Sequence, residues 1–364
     1  MAPRYAIICA AHEGNAGMYS VDRAAKDFFT SRGADHTLFV AQQAEGRMQD
    51  YTLLSEWGQL QDYTHVVYWG DFLNNPFYGY RSFPNRSMRW GLAESKQAAI
   101  TQWKSLFVPE NPGPGKKLYS VGQNFQQYFG NKEVEFGPIF DRLEDYFEAL
   151  MVRDTFSFQS LSRTIEFSDI TKVLQGLDCA FLQDPAQQEA EQKDPGEEGT
   201  FVYYFRRSKL DDPRRLVTEI ENATGHRGVE LKSWIPLKRG SWDEEFEELK
   251  KLIGSAQFVV SDTYHVCVNA MHSRVPVVGV GRQSTEQIGT IGDFKKKVLF
   301  GMFDLGHLYH EISSGQDEAE TRRRVVKSSE NALALRAEGA DTYYMVEART
   351  RQFAGQFERM LELV

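Results

Sequence analysis

Along the 364-residue chain, apolar residues fall into short continuous runs separated by stretches where they recur at helical spacing. A brief apolar run bounded by turn residues is the pattern of a strand buried on both faces. Arg4–Ala11 (RYAIICAA) predicts such a strand, and Val21–Arg32 predicts an amphipathic helix closed by Gly33. His36–Ala41 reads as a second strand, and His65–Gly70 as a third that ends at a Gly-Asp turn. Lys117–Val121 and Ala149–Arg153 are further strands. Strands alternating with helices predict an α/β fold built on a parallel sheet.

The pattern stops between Gln183 and Gly199 (QDPAQQEAEQKDPGEEG), which is acidic and carries no large apolar residue. That composition predicts a solvated loop or linker. A second α/β pattern follows. Strands are predicted at Phe201–Phe205, Val229–Ile235, Gln257–Ser261 and Val275–Gly281, with helices at Arg214–Ala223, Asp243–Ile253 and Tyr264–Met271. Ser329–Val364 is helical by composition. The division expected is a Rossmann-like domain over 1–183, a linker over 184–199, a second Rossmann-like domain over 200–330 and a helical segment over 331–364. Ligands of such folds sit at the carboxyl ends of strands, so a cleft between the two domains is the expected site.

Composition narrows the picture. Hydrophobic residues at 41% and charged residues at 26% suit a globular chain with a sizeable core. The net charge of −9 argues against a nucleic-acid surface and repels anions at long range. An anion site must therefore be assembled locally from Arg, His and backbone amides. Cys9, Cys179 and Cys267 are sparse and form no CxxC, which points to a reducing compartment rather than a disulfide framework or structural zinc. No apolar run approaches the ~20 residues of a transmembrane helix. The location expected is cytoplasmic, with peripheral docking on the inner membrane face as the variant.

Three constellations carry candidate chemistry. In QFVVSDTYHVCVNAMHSRVPVVGVGR (257–282), a strand ends in Ser261-Asp262-Thr263, all N-cap types, and a helix should begin near Tyr264 or His265. A helix start offers amides and partial positive charge to an anion, and a His in its first turn is placed to pass it a proton. The competing reading is a plain cap with His265 as a packing residue. His272, seven residues on, reads as a partner of the helix C-terminus. In AHEGNAG (11–17), Gly14, Asn15 and Gly17 stand between strand and helix, where backbone approaches a ligand closely or simply turns; His12 and Glu13 belong to the same loop. In MVRD (151–154), Arg153 at a strand end is placed to grip a carboxylate or phosphate, or to pair with Asp154. Arg206 and Arg207 fit that description less specifically. Lys295–Lys297 and Arg322–Arg324 read as solvated faces. The aromatic stretch Trp69–Trp90 reads either as a sugar-stacking surface or as core. DxD, HExxH and GxSxG are all absent, and His and Cys are too scattered for a metal cluster.

The order of motifs resembles the polysaccharide pyruvyl transferase family over most of the chain. Asn15 and Gly17 with Ala24-Ala25 and Gly33, HVVYWGDFLNN (65–75) with Asp71, ALMVRDTFSFQSL (149–161) and GLDCAFLQ (176–183) follow its series, with Cys179 where Pro is usual. The most specific element is Ser261-Asp262-Thr263-Tyr264-His265, with Val266 where Gly is common and Asn269-Ala270 at the later small position. The resemblance implies a GT-B-like fold, an acceptor side in the N-terminal domain and a donor side in the C-terminal one. It implies transfer of a pyruvyl group from phosphoenolpyruvate, as co-substrate, to a sugar or glycan hydroxyl pair, giving a ketal in polysaccharide biosynthesis, without metal or other cofactor.

Some members carry Arg two residues before the motif His. Thr263 stands there in this chain, so the anion clamp falls to Arg153, Arg206, Arg207 or Arg282. On that basis His265 and Arg153 are the expected catalytic pair. Gly14, Asn15, Asp71, Arg206, Arg207, Ser261, Thr263, Tyr264 and Arg282 are the expected substrate contacts. The alternatives are a metal-independent glycosyltransferase using a nucleotide-sugar donor and a non-catalytic glycan-binding member of the fold.

Overall fold

The structure is a computed structural model. It describes residues 2–10, 14–42, 51–126, 133–164, 169–184, 199–237, 242–283, 293–312, 318–338 and 343–363. His12, Glu13 and nearly all of the 184–199 segment lie outside the described residues. The chain divides into two compact units. One comprises residues 1–13, 21–183 and 353–364, and the other comprises 14–20 and 184–352.

The first unit is a seven-stranded parallel sheet in the order β3-β2-β1-β4-β5-β6-β7. Its strands are β1 (Arg4–Cys9), β2 (Asp35–Val40), β3 (Tyr51–Leu53), β4 (His65–Trp69), β5 (Lys117–Gln123), β6 (Phe147–Val152) and β7 (Val173–Gln175). Its helices are α1 (Ala16–Ser31), α2 (Phe83–Arg89), α3 (Lys96–Phe107), α4 (Glu133–Tyr146) and α5 (Thr155–Thr164). The apolar runs read as strands are strands because both faces are covered: every residue of β4 is buried. Helix α1 starts five residues before the predicted Val21, because Asn15 O accepts the amides of Met18 and Tyr19 and initiates it. The short edge strands β3 and β7 were not predicted; three residues are too few to show a period.

The aromatic stretch resolves mostly as packing. Trp69, Tyr78 and Phe83 are buried, and Trp69 Nε1 donates to Val21 O at 2.8 Å. Tyr78–Ser82 forms a π-helical turn, with Gly79 lying directly against the Trp103 ring.

The second unit has a five-stranded parallel sheet in the order β12-β11-β10-β8-β9. Its strands are β8 (Thr200–Tyr204), β9 (Arg227–Glu230), β10 (Val259–Ser261), β11 (Val277–Arg282) and β12 (Tyr309–Ile312). Its helices are α6 (Pro213–Thr224), α7 (Trp242–Ser255), α8 (Tyr264–His272), α9 (Phe294–Met302) and α10 (Glu318–Glu338). The last helix, α11 (Tyr344–Met360), contributes its end to the first unit, where Phe357 packs on Phe28 and Trp69. Asp212 caps α6 through its side chain, and Gly225 ends it at φ 71, a left-handed conformation that glycine adopts without penalty. Phe201 and Phe258 stack at 4.9 Å in a core completed by Leu216, Ile220, Val278 and Val325. In this order the chain reverses direction across the sheet between β8 and β10, so their adjoining carboxyl ends form the switch point where α/β sheets hold ligands. Among the described residues no helix is long and apolar enough to cross a membrane.

Candidate functional site

Two turns meet at that switch point, Arg206–Ser208 after β8 and Ser261–Thr263 after β10. Ser261 Oγ donates to Tyr204 O at 2.9 Å and accepts the Thr263 amide at 3.0 Å. Asp262 does not cap the helix that follows. Its carboxylate turns to the neighbouring strand and accepts the amides of Arg206, Arg207 and Ser208 at 2.9, 2.7 and 2.8 Å. Thr263 stands at the N-cap of α8, but its hydroxyl donates to Asp262 Oδ1 at 3.1 Å instead of capping. Since no side chain caps α8, its first-turn amides and positive dipole end remain directed at whatever binds there.

Beneath this knot lies Lys296, only 1% exposed, which corrects the reading of 295–297 as a solvated run. Its ammonium donates to Asp262 O and to Ser208 Oγ, and it pairs with Asp293 at 2.8 Å. Asp293 Oδ2 in turn accepts Ser208 Oγ and the Arg282 amide. Arg282 braces the same turn, donating to Ser208 O at 2.9 Å and Lys209 O at 3.0 Å and pairing with Glu318 at 2.9 Å. Lys295 lies with its ammonium 5.0 Å from the centroid of the Tyr264 ring, at the first residue of α8. Only Lys297 of the run is solvated, facing Glu311.

His265 is buried, its ring edge-on to Tyr264 at 5.2 Å. The decisive neighbour is Gly17. A Cβ on Gly17 would lie 2.6 Å from His265 Cβ and 2.7 Å from its Nδ1, so backbone rests directly on the imidazole. The loop is tied down by polar bonds. Ser20 Oγ donates to Gly17 O at 2.7 Å, and Asn269 Nδ2 donates to both Ser20 Oγ at 3.2 Å and His265 O at 2.8 Å. Asn15 Oδ1 accepts the Gly17 amide at 3.0 Å, Gly14 O accepts the Leu237 amide at 2.7 Å, and the Ala16 amide donates to Trp234 O at 3.0 Å. Two constellations some 250 residues apart in sequence are thus one site. Gly17→Ala is expected to force the ring or the loop aside at a cost of about 1–3 kcal/mol. The check is thermal unfolding beside Gly137→Ala, where open space awaits the added methyl.

The remaining expected site residues have the following surroundings. Arg206 extends outward to Glu230 at 3.1 Å, and Arg207 is exposed beside it. Arg153 and Asp71 lie in the first unit. Arg153 is 3% exposed and sits between Asp154 at 3.4 Å and Asp178 at 3.6 Å. Asp71 is buried at φ 57 after β4, and its carbonyl accepts the Asn124 amide at 2.6 Å. His272 is buried in the last turn of α8. All three cysteines are free and buried, and burial raises their thiols, Cys267 to about 12, so none is a ready nucleophile. Among the described residues no group of three or more His, Cys, Asp or Glu is arranged to hold a metal ion.

The specific motif therefore folds into a helix start that no side chain caps. The sequence profile of the polysaccharide pyruvyl transferase family matches residues 107–284. The match takes in Arg153, the 206–208 turn, the 261–265 motif and Arg282, and stops short of Gly14, Asn15 and Asp71. The match supports a transferase that modifies polysaccharide.

No curated protein matches the chain by sequence. Among solved structures, a candidate UDP-N-acetylglucosamine 2-epimerase from Listeria monocytogenes is similar in fold at a TM-score of 0.50, with 11% identity over 99% of this chain and 97% of its own. MnaA from S. aureus, solved with UDP, gives a TM-score of 0.47 at 10% identity over 100% and 98% of the two chains. The calicheamicin glycosyltransferase CalG4 gives 0.46 at 11% identity over 100% and 99%.

Proposed function

We propose that this pyruvyl transferase family member transfers a pyruvyl group from phosphoenolpyruvate to two hydroxyls of a sugar or glycan, forming a cyclic ketal and releasing inorganic phosphate. The observation that carries the reading is the backbone of Gly17 seated on the His265 imidazole at the uncapped start of α8. That arrangement fixes a proton-transferring ring beside a patch that attracts anions. The donor's carboxylate and phosphate are held by the first-turn amides of α8 and the cations Lys295 and Arg207. Ser261, Asp262, Lys296 and Arg282 act one layer behind, keeping the two turns in register. They are positioning residues.

The chemistry balances with the groups named. A proton from His265 is added to the methylene carbon of the enol, which becomes the methyl group, and positive charge develops at C2. One acceptor hydroxyl bonds to C2 and gives up its proton. The C2–O bond to phosphate breaks, with the bonding pair leaving on phosphate. The second hydroxyl then closes the ketal and loses its own proton. His265 serves either the first proton transfer or the departure of phosphate, and fixed positive groups stabilise the charge that develops on the leaving oxygens. The acceptor belongs with the first unit.

The direct test is release of inorganic phosphate from phosphoenolpyruvate that depends on an added sugar acceptor, with the ketal identified by mass spectrometry. Stabilisation by UDP or GDP with no response to phosphoenolpyruvate would instead favour a nucleotide-sugar glycosyltransferase. Lys295→Ala is expected to raise KM for phosphoenolpyruvate roughly fivefold with kcat little changed, the scale of an exposed ion pair of ~1 kcal/mol. An unchanged KM would remove Lys295 from the donor site.

A further inference from the structure

The first unit carries another group of polar side chains that its own packing does not satisfy. The loops after β4, β5 and β6 lie side by side because those strands are neighbours. In them Asn74, Asn75, Gln123 and Asn124 are each no more than 1% exposed, and Gln126 is 3% exposed. Most of their polar atoms are engaged. Asn75 Nδ2 donates to Asn124 O at 2.8 Å, Asn74 Nδ2 to Phe107 O at 2.7 Å and Gln123 Nε2 to Gly70 O at 2.7 Å. Asn124 Oδ1 accepts the Gln126 amide at 2.9 Å, and Gln126 Nε2 donates to Asp154 Oδ2 at 2.8 Å. Three atoms are left over: Asn124 Nδ2, a donor, and Asn74 Oδ1 and Gln126 Oε1, both acceptors. Buried amides nearly always find partners, so three exceptions on adjoining strand ends call for a ligand. Strand carboxyl ends are also where open parallel sheets hold ligands.

The chemistry of the leftovers selects the ligand. A donor beside two acceptors suits hydroxyl groups, each of which gives and takes a hydrogen bond. A phosphate or carboxylate only accepts, so it would leave both acceptors unsatisfied. The π-helical turn at Tyr78–Ser82 begins three residues after Asn75, an irregularity frequent at functional sites.

We propose that Asn74, Asn124 and Gln126 form a subsite in the first unit for an uncharged, polyhydroxylated ligand, a neutral sugar ring. This deepens the acceptor half of the proposed function and rests on it. The test is a titration of the full-length, nitrogen-15-labelled protein with methyl glycosides of galactose, mannose, glucose and N-acetylglucosamine, followed by calorimetry and by the side-chain amide resonance of Asn124. That resonance is identified by its loss in Asn124→Asp, which keeps the Oδ1 acceptor for the Gln126 amide.

The expected result is a saturable shift with at least one neutral glycoside, and binding weakened about tenfold or more in Asn124→Asp and in Gln126→Met. The resonance in the unaltered protein decides the matter even if a variant folds poorly. Glycoside binding by calorimetry with the Asn124 resonance unmoved would overturn this inference and leave the acceptor reading standing. Binding of no glycoside would overturn both. A shift with inorganic phosphate or glucuronate, and with none of the neutral glycosides, would overturn the assignment of an uncharged ligand.

Discussion

Replacing His265 by alanine is expected to lower turnover of phosphoenolpyruvate by roughly 10²–10⁴-fold, the usual contribution of a positioned acid or base. The fold should survive the change. The bond that anchors the Gly14–Ser20 loop to α8 runs from Asn269 Nδ2 to Ser20 Oγ; Asn269 is itself held by the His265 carbonyl, which alanine keeps. The backbone of Gly17 would then face a void the size of the imidazole, which lowers stability modestly. His265→Gln separates the two effects, since it fills much of the space and stays polar but has no group that gives or takes a proton at neutral pH. Both variants should show the same loss of kcat in the phosphate-release assay. Near-normal turnover in His265→Ala would reduce the imidazole to a packing residue and end the proposed chemistry.

Lys296→Ala is expected to destabilise the second unit by about 3–5 kcal/mol, the penalty for removing one member of a buried ion pair. The ammonium is 1% exposed and all its bonds go to Asp293, Asp262 O and Ser208 Oγ. Without it the Asp293 carboxylate keeps its bonds to Ser208 and to the Arg282 amide but loses its counter-charge. The effect should spread into the turn that Asp262 organises, because Lys296 holds the carbonyl of that same residue. Urea unfolding followed through tryptophan fluorescence reports it, with Trp234 and Trp242 as probes within this unit. Lys296→Met restores volume without charge and should fall between the two proteins. A Lys296→Ala variant within about 1 kcal/mol of the unaltered chain would show the knot to be dispensable.

The sequence was informative wherever a local rule applied. Strands in the middle of each sheet were legible because both faces are covered, which leaves a continuous apolar run. β4 and β10, with every residue buried, are examples. The start of α8 was legible from three N-cap types in a row. The tertiary structure changed what those residues do. Asp262 looks like a cap, yet it bonds to amides more than 50 residues away, because β8 and β10 become neighbours in the sheet. Lys295–Lys297 looks like a charged surface run, and local composition gives no hint that the middle ammonium will meet an aspartate and a carbonyl under a turn. Arg282 looked like an anion clamp and is committed to the 208–209 backbone and Glu318.

By itself the sequence determined the parallel α/β character of both halves, the helix that begins at Tyr264 and the motifs behind the family match over 107–284, since these depend on patterns confined to neighbouring residues. Only the tertiary structure decided that Gly17 rests on His265 and that the acidic and basic residues around β8 and β10 brace one another. Contacts across hundreds of residues follow from strand order, and strand order is settled by which apolar faces bury together, which a one-dimensional pattern does not record.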